Sequence, residues 1–227
     1  MAKLHISLPD TPQKRKVFLL RVVILLVGLT IAHLGVTLFL LADLGSDPFN
    51  VLIQGLFRNV SRLGIAFFTH GRVHIVISLL IIVVLLFADS SYVKIGTVLC
   101  MVCGGPIIDF FTLLLAPLAL DAQSLPVRIL ANALGCAILA FGMTIVIKSE
   151  AGTGPNDLVA VVISDKLKKK FSITRILVDI CFAGLGFVLG GTLGIGTVIC
   201  AFVVGPVAGV FLPFNGKWIQ ALVNRIQ

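Results

Sequence analysis

Two Gly- and Pro-containing turns carry the polar side chains best placed for chemistry, and the second turn nearly repeats the first. One runs from Gly45 to Pro48 and the other from Gly152 to Pro155. Each pattern predicts a helix start, because proline fits the first helical position. The free N–H groups of such a start attract anionic groups. The residues predicted to bind a substrate are Asp47, Asn50 and Gln54 in the first copy and Asn156 and Asp157 in the second.

Three ionisable residues inside apolar segments are further substrate-site candidates: His33, Asp109 and Asp179. Such side chains are costly at membrane depth and commonly mark a substrate site or a proton or cation relay. Structural roles are the alternatives. His33 would be a packed core histidine, and Asp109 would bond backbone groups near Pro106. Asp179 would pair with Arg175 one turn earlier, and the turn residues would only cap their helices.

Two pairs of His or Cys have spacings found in metal sites, but neither pair is complete. Cys100 and Cys103 lack a second ligand pair, so they are predicted to pack as small apolar residues. His70 and His74 have helical ligand spacing but lack the glutamate of an HExxH zinc site. Nucleophile-elbow, phosphate-loop and dinucleotide patterns are also missing from the sequence. We therefore expect no metal, no cofactor and no catalytic residue, and hence no enzyme.

The elements that carry these residues follow from composition. The 227 residues are 58% hydrophobic and 12% charged, with a mean hydropathy of +1.12, whereas soluble domains are about 25% charged. A membrane helix needs about 20 apolar residues. Six segments approach or reach this length and predict an all-α, polytopic membrane bundle in contact with the lipid bilayer. They cover residues 17–41, 73–88, 95–115, 127–147, 173–189 and 195–212.

Two shorter helices are predicted to follow the turns, over residues 48–60 and 155–166. Each is about half as long as a bilayer-crossing helix, which favours a re-entrant or interfacial position. Each half of the chain then has three membrane-crossing helices. Because three is an odd number, the second half starts on the opposite side of the membrane and is inverted relative to the first. If the short helices crossed the membrane, the halves would instead be parallel.

The doubled turn belongs to a longer two-fold internal repeat. Gly45 returns as Gly152, 107 residues later, and Ile-Gly-Thr-Val at residue 95 returns 100 residues later. Such repeats are typical of transporters built from two related bundles. The predicted regions are a cytoplasmic basic N-terminus (1–16), a first membrane repeat (17–120), a second membrane repeat (121–214) and a cytoplasmic tail (215–227).

The net charge of +8 comes from basic clusters between the apolar segments. Lys and Arg concentrate on the cytoplasmic side of membrane proteins. The inverted arrangement places 14 Lys and Arg residues and both termini on the cytoplasmic side, and 4 Lys and Arg residues outside. The parallel arrangement also puts most Lys and Arg residues on the cytoplasmic side. The clusters accompany no nucleic-acid recognition motif, so we expect no nucleic-acid partner.

Small residues recur at helical spacing, as in Gly186 with Gly190 and Gly205 with Gly209. Small faces let helices approach closely in lipid. Packing within the monomer is the expected use of these faces, and a homodimer seam is the alternative.

The residues around both turns resemble a known family. Residues 44–56, LGSDPFNVLIQGL, resemble the LGxxPWDVLxQGL segment of bacterial YczE-like membrane proteins, in the YczE/YyaS/YitT group. Residues 152–158, GTGPNDL, resemble that family's second segment, and residues 190–206 resemble its C-terminal signature. Where the family has an aromatic residue and aspartate, this chain has Phe49 and Asn50. The resemblance implies a multi-pass protein of the bacterial plasma membrane and implies no activity.

Two functions fit these observations. A permease or exporter of an unknown small solute fits the repeat and the paired helix starts. A non-transporting accessory or regulatory protein of a membrane complex fits the scarcity of charge within the membrane. Loss of solute flux in variants of Asp47 and Asp157 would favour the first function.

Overall fold

The computed structural model describes residues 11–64, 67–169 and 171–226. In this part of the chain all secondary-structure elements are helices. The fold is the predicted polytopic all-α bundle. The eight α-helices are α1 (Pro12–Ala42), α2 (Pro48–Arg62), α3 (His70–Asp89), α4 (Ile95–Leu115), α5 (Leu125–Ser149), α6 (Pro155–Leu167), α7 (Phe171–Val188) and α8 (Ile195–Asn224).

Five of the described helices, α1, α3, α4, α5 and α8, are long and apolar enough to cross a membrane. The sixth predicted span is α7, whose apolar part, Ile176–Val188, is shorter. At about 1.5 Å per residue the whole of α7 measures about 27 Å, close to the thickness of the hydrocarbon core. Helix α7 can therefore cross only if it stands nearly upright.

Helices α1 and α5 pack closely and cross at glycines. A Cβ at Gly28 would lie 2.9 Å from the Gly142 carbonyl oxygen, and a Cβ at Gly35 would overlap the Gly135 carbonyl. The earlier glycine of each helix meets the later glycine of the other, so the two helices are antiparallel. The glycines of α5 follow those of α1 by 107 residues, which is also the spacing of the two turns.

Both ends of the described chain lie at the same end of the bundle. The Gln13 side chain donates to the Ile226 carbonyl (3.1 Å), which places the start of α1 beside the end of α8. We call this the Gln13 end. At the opposite end, the Asp43 end, Arg128 at the start of α5 donates to the Asp43 carbonyl (3.0 Å). The start of α1 and the end of α8 therefore lie at the same end of the bundle.

Helix α8 continues to Asn224, ten residues past the predicted boundary between the second repeat and a tail at residue 214. Buried Asn215 donates to Thr144 Oγ1 of α5 (2.7 Å) and accepts from Trp218 Nε1 (2.8 Å). The bond to Thr144 joins this part of α8 to α5, and the bond from Trp218 orients the Asn215 side chain within α8. Residues 215–224 therefore belong to the helical bundle.

Helix α2 stays at the Asp43 end. Asp47 caps its start by accepting from the Asn50 backbone N–H. Near its other end Arg58 donates to Asp43 Oδ1 (3.2 Å) and to the Gly190 carbonyl after α7 (2.9 Å). Both ends of α2 thus lie near the residues that close α1, and the helix does not pass from one end of the bundle to the other.

Helix α6 lies at the Gln13 end. It follows Glu150, which forms an ion pair with Arg21 of α1. Near its C-terminus Lys166 donates to the Ala88 carbonyl of α3 (2.7 Å), and Tyr92 donates to Asp165 (3.0 Å). The two short helices thus occupy opposite ends of the bundle.

Each turn docks on the other half of the chain through an equivalent hydrogen bond. The Gly196 N–H at the start of α8 donates to the Leu44 carbonyl (2.7 Å). The Gly96 N–H at the start of α4 donates to the Ala151 carbonyl (3.1 Å). These reciprocal bonds place the start of α2 against α8 and the start of α6 against α4.

Candidate functional site

Buried histidines meet in the middle of the bundle. His33 lies between the crossing glycines of α1, and its ring centroid is 5.7 Å from that of His74 on α3. His33 Nδ1 donates to the Leu29 carbonyl (2.8 Å), which leaves Nε2 as an acceptor. A Cβ on Gly104 of α4 would lie 2.8 Å from this Nε2. The missing side chain at Gly104 therefore makes room for the imidazole.

His70, at the start of α3, connects these histidines to the start of α2. His70 Nε2 donates to Asn50 Oδ1 (3.4 Å), and Asn50 Nδ2 donates to Asp47 Oδ1 (2.6 Å). Asn50 is buried, while Asp47 and His70 are half-buried. A chain of polar groups thus leads from the cap of α2 into the bundle. We call His33, Asp47, Asn50, His70, His74 and Asp109 the histidine cluster.

Asp109 of α4 holds the start of α3. Its carboxylate accepts from Thr69 Oγ1 (2.6 Å) and from the Gly71 backbone N–H (3.0 Å). The second bond satisfies a backbone donor that a helix start leaves free. The carboxylate is also close enough to His70 to interact with it electrostatically. Asp109 therefore positions the turn that carries His70.

His74 supplies an atom that is free to bind. Its side chain is 7% exposed, and its Nδ1 has no hydrogen-bond partner within the described part of the chain. Buried polar atoms in proteins nearly always have partners, so an exception needs an explanation. The ring also packs edge-on against Phe49 of α2, with centroids 5.5 Å apart. The packing fixes the ring while one of its nitrogens stays unused.

The second turn lies against a different part of α4. Asn156 Nδ2 donates to Asp157 Oδ1 (3.1 Å), and the Asp157 carboxylate interacts electrostatically with the Cys100 thiol. Cys100 precedes Gly104 by one helical turn, so both lie on the same face of α4. Asp157 of the second copy therefore lies near Cys100, one helical turn along α4 from the glycine that borders the histidines.

The two remaining predicted residues have other surroundings. Gln54 Oε1 accepts from the Thr192 N–H (2.7 Å) and so fixes the connection between α7 and α8. Asp179 is half-buried in α7, one turn before Phe182, whose ring packs against Phe49. The side chain of Arg175 lies outside the described residues, so its pairing with Asp179 stays a prediction.

His70 and His74 belong to the site, but the sequence does not predict them as site residues. Their spacing suggests only a zinc motif, which the pair does not complete. The signal that identifies them is their position in an apolar segment, where ionisable side chains face the bundle interior. Their approach to His33 depends on how α1 and α3 pack and has no local sequence pattern. Among the described residues, no group of three or more His, Cys, Asp or Glu is arranged to hold a metal ion.

Comparisons with known proteins place the chain in a family. Residues 19–213 match DUF6198, described as a family of unknown function. The uncharacterized membrane protein YczE of Bacillus subtilis (strain 168) is 28% identical over 201 residues, which cover 87% of this chain and 88% of YczE. An uncharacterized protein of Haemophilus influenzae is 30% identical over 189 residues, covering 83% of this chain and 82% of that protein.

The uncharacterized protein YyaS of Bacillus subtilis (strain 168) is 24% identical over 188 residues, covering 82% of this chain and 90% of YyaS. No solved structure matches the chain. The matches to YczE and YyaS confirm the resemblance seen in the two turns, and the apolar helices agree with the description of YczE as a membrane protein. The chain is a multi-pass membrane protein and belongs to the DUF6198 family.

Proposed function

We propose that this protein is a permease or exporter of a small solute, with its binding site at the histidine cluster. The observation that carries the proposal is the meeting of three imidazoles with Asn50 and Asp109 inside an apolar bundle. Ionisable groups at this depth are retained in membrane proteins chiefly along substrate and ion pathways. The unpaired Nδ1 of His74 gives a solute an atom to bond.

A polar path along α4 supports transport over simple binding. Asp109 belongs to the histidine cluster and Gly104 borders it, and Cys100, one turn further toward the Gln13 end, interacts electrostatically with Asp157. The path thus connects side chains that belong to short helices from opposite ends of the bundle. A solute released from the histidines toward the Gln13 end would meet the Asp157 carboxylate next.

We further propose that the two halves form an inverted repeat. The antiparallel glycine crossing of α1 and α5 and the reciprocal bonds of Leu44 and Ala151 support this arrangement. Inverted repeats let a transporter expose one central site alternately to its two sides. The Gln13 end carries the basic clusters, including Lys14, Arg15 and Lys16, so we assign it to the cytoplasm of a bacterial cell.

The walls of the cluster indicate the type of solute. Phe49 packs edge-on against His74 and Phe57 against His70 (5.9 Å), and Phe182 packs against Phe49. Such walls combine apolar area with a few placed polar groups, as small-molecule sites do. We therefore expect a small solute with an apolar part and at least one hydrogen-bonding group. No catalytic step is part of the proposal.

The test is solute flux through the purified protein in proteoliposomes. The probes are radiolabelled amino acids, monocarboxylates, amines and nucleosides, measured by counterflow so that no coupling ion has to be known. We expect wild-type vesicles to accumulate at least one probe. His74→Ala and Asn50→Ala should each reduce that flux by about tenfold or more, since a lost buried hydrogen bond costs about 1–3 kcal/mol.

The matched control is Thr30→Val, because within the described residues the Thr30 side chain bonds only the Leu26 carbonyl of its own helix (2.9 Å) and is exposed. It should keep the wild-type flux. If the wild-type protein moves none of the probes, or if the two cluster variants transport as well as Thr30→Val, the proposal fails. An accessory role in another membrane complex would then explain the protein better.

A further inference from the structure

A groove at the Gln13 end lies between the first turns of α1 and the end of α8. Its volume is about 720 Å³, and it is lined by Pro12, Gln13, Lys16, Leu19, Leu20, Val23, Arg225 and Ile226. The bond from Gln13 to the Ile226 carbonyl closes one side of the groove and fixes the two helices relative to each other. The groove therefore has a defined shape and opens to the surroundings of the bundle.

The charges and the apolar residues of this groove are separated. Lys16 and Arg225 are both exposed, and neither forms an ion pair within the described part of the chain. The floor is formed by Leu19, Leu20 and Val23, of which Leu19 is 64% exposed. A ligand that fits the groove must therefore join an anionic group to an apolar chain.

The position of the groove along α1 matches the layers of a bilayer. We take the crossing of α1 and α5, between Gly28 and Gly35, as the middle of the membrane. At about 1.5 Å per residue, Val23 then lies about 13 Å and Lys16 about 23 Å from the middle along α1. The hydrocarbon core ends about 15 Å from the middle, and the headgroups lie beyond it. Lys16 is therefore at headgroup depth, and Val23 is at the edge of the acyl chains.

We propose that this groove is a specific binding site for one anionic phospholipid. The phosphate lies between Lys16 and Arg225, and the first part of an acyl chain lies along Leu19, Leu20 and Val23. Basic pockets between membrane helices recognise anionic headgroups in this way. The occupant bridges α1 and α8, so it stabilises the contact between the first and last helices of the protein.

The test is lipid retention by the full-length protein. The detergent-purified protein is mixed with phosphatidylglycerol or phosphatidylcholine and examined by native mass spectrometry. We expect one phosphatidylglycerol to be held in preference to phosphatidylcholine. Lys16→Gln combined with Arg225→Gln should reduce that preference by roughly 30-fold, which is about 2 kcal/mol at about 1 kcal/mol for each basic residue.

The matched control is Lys168→Gln combined with Lys169→Gln, which removes the same charge from exposed positions between α6 and α7. This control should keep the bound lipid. Glycerol phosphate and inorganic phosphate, added as competitors, should not displace the lipid, because neither has a chain to fill the apolar floor.

Three results would overturn the proposal. They are equal retention of the two lipids, equal loss in both double variants, and replacement of the lipid signal by a dimer of the chain. If Lys16→Gln with Arg225→Gln cannot be purified, Val23→Trp fills the floor while leaving both charges. Unchanged lipid retention by Val23→Trp would contradict the proposed site just as directly.

Discussion

The Nε2 atom of His33 faces Gly104 so closely that a single methyl group on this glycine would come within 2.8 Å of it. The same methyl group would lie 3.1 Å from Cε1 of His74. Gly104 thus determines how closely two imidazoles on different helices can approach α4 and each other.

Gly104→Ala should separate these imidazoles without removing either of them. We expect solute flux to fall by about tenfold or more, since His33 would lose either its place in the cluster or its bond to Leu29. Counterflow in proteoliposomes measures the effect. Gly209→Ala on α8 is the control, because a Cβ there meets no atom of the described residues within 4 Å. Wild-type flux in Gly104→Ala would show that the spacing of the imidazoles is unimportant.

Gly35→Ala should lower the stability of the bundle. Its Cβ would overlap the Gly135 carbonyl, so α1 and α5 would have to move apart. Overpacking of this kind costs about 1–3 kcal/mol, and thermal unfolding in detergent should show a lower midpoint. Gly205→Ala is the control, since its Cβ meets no atom of the described part of the chain within 4 Å and alanine favours a helix by about 1 kcal/mol. Equal midpoints for the two variants would contradict the close crossing.

Asn132→Ala should loosen the first turn. Asn132 is fully buried, and its Nδ2 donates to the Gly45 carbonyl (3.0 Å). Without this donor the free energy of unfolding should fall by about 1–3 kcal/mol, because a buried acceptor is left unpaired. Protease sensitivity of the turn and the thermal midpoint both report the change. Thr112→Val, which removes only a bond to the Ile108 carbonyl of the same helix, should have a smaller effect.

Ser61→Cys and Ser91→Cys should react with a membrane-impermeant maleimide from opposite sides of the membrane. Both positions are exposed, with Ser61 near the end of α2 and Ser91 between α3 and α4. We expect labelling of Ser61→Cys in intact cells and of Ser91→Cys only in inside-out vesicles. The unsubstituted chain, whose five cysteines lie within the helices, is the control. Labelling of both positions from one side would rule out the placement of α2 at one end of the bundle.

Most of the fold could be predicted from the sequence because it depends on local composition. Long apolar segments and the Pro48 and Pro155 helix starts fixed the helices to within a few residues. The continuation of α8 past residue 214 could not be predicted in this way. It depends on a bond from Asn215 to Thr144, which lies 71 residues earlier in the chain.

The candidate site could be predicted only in part. His33 and Asp109 stand out because they are ionisable groups in apolar segments, and Asn50 stands out because it follows the turn. The structure joins them through His70 and His74. Gln54 bonds the Thr192 N–H because α2 packs against α7. No short-range sequence pattern predicts this packing.

The reciprocal bonds of Leu44 and Ala151 also set an order for biogenesis. The first turn is synthesised early, but its partner, the Gly196 N–H, belongs to the last helix. Until α8 leaves the ribosome, the start of α2 therefore lacks the surface on which it docks. The second turn, by contrast, emerges after α4 and can dock at once. A ribosome-bound chain that ends before residue 195 should therefore have the α6 turn in place while the α2 turn is still open to proteolysis.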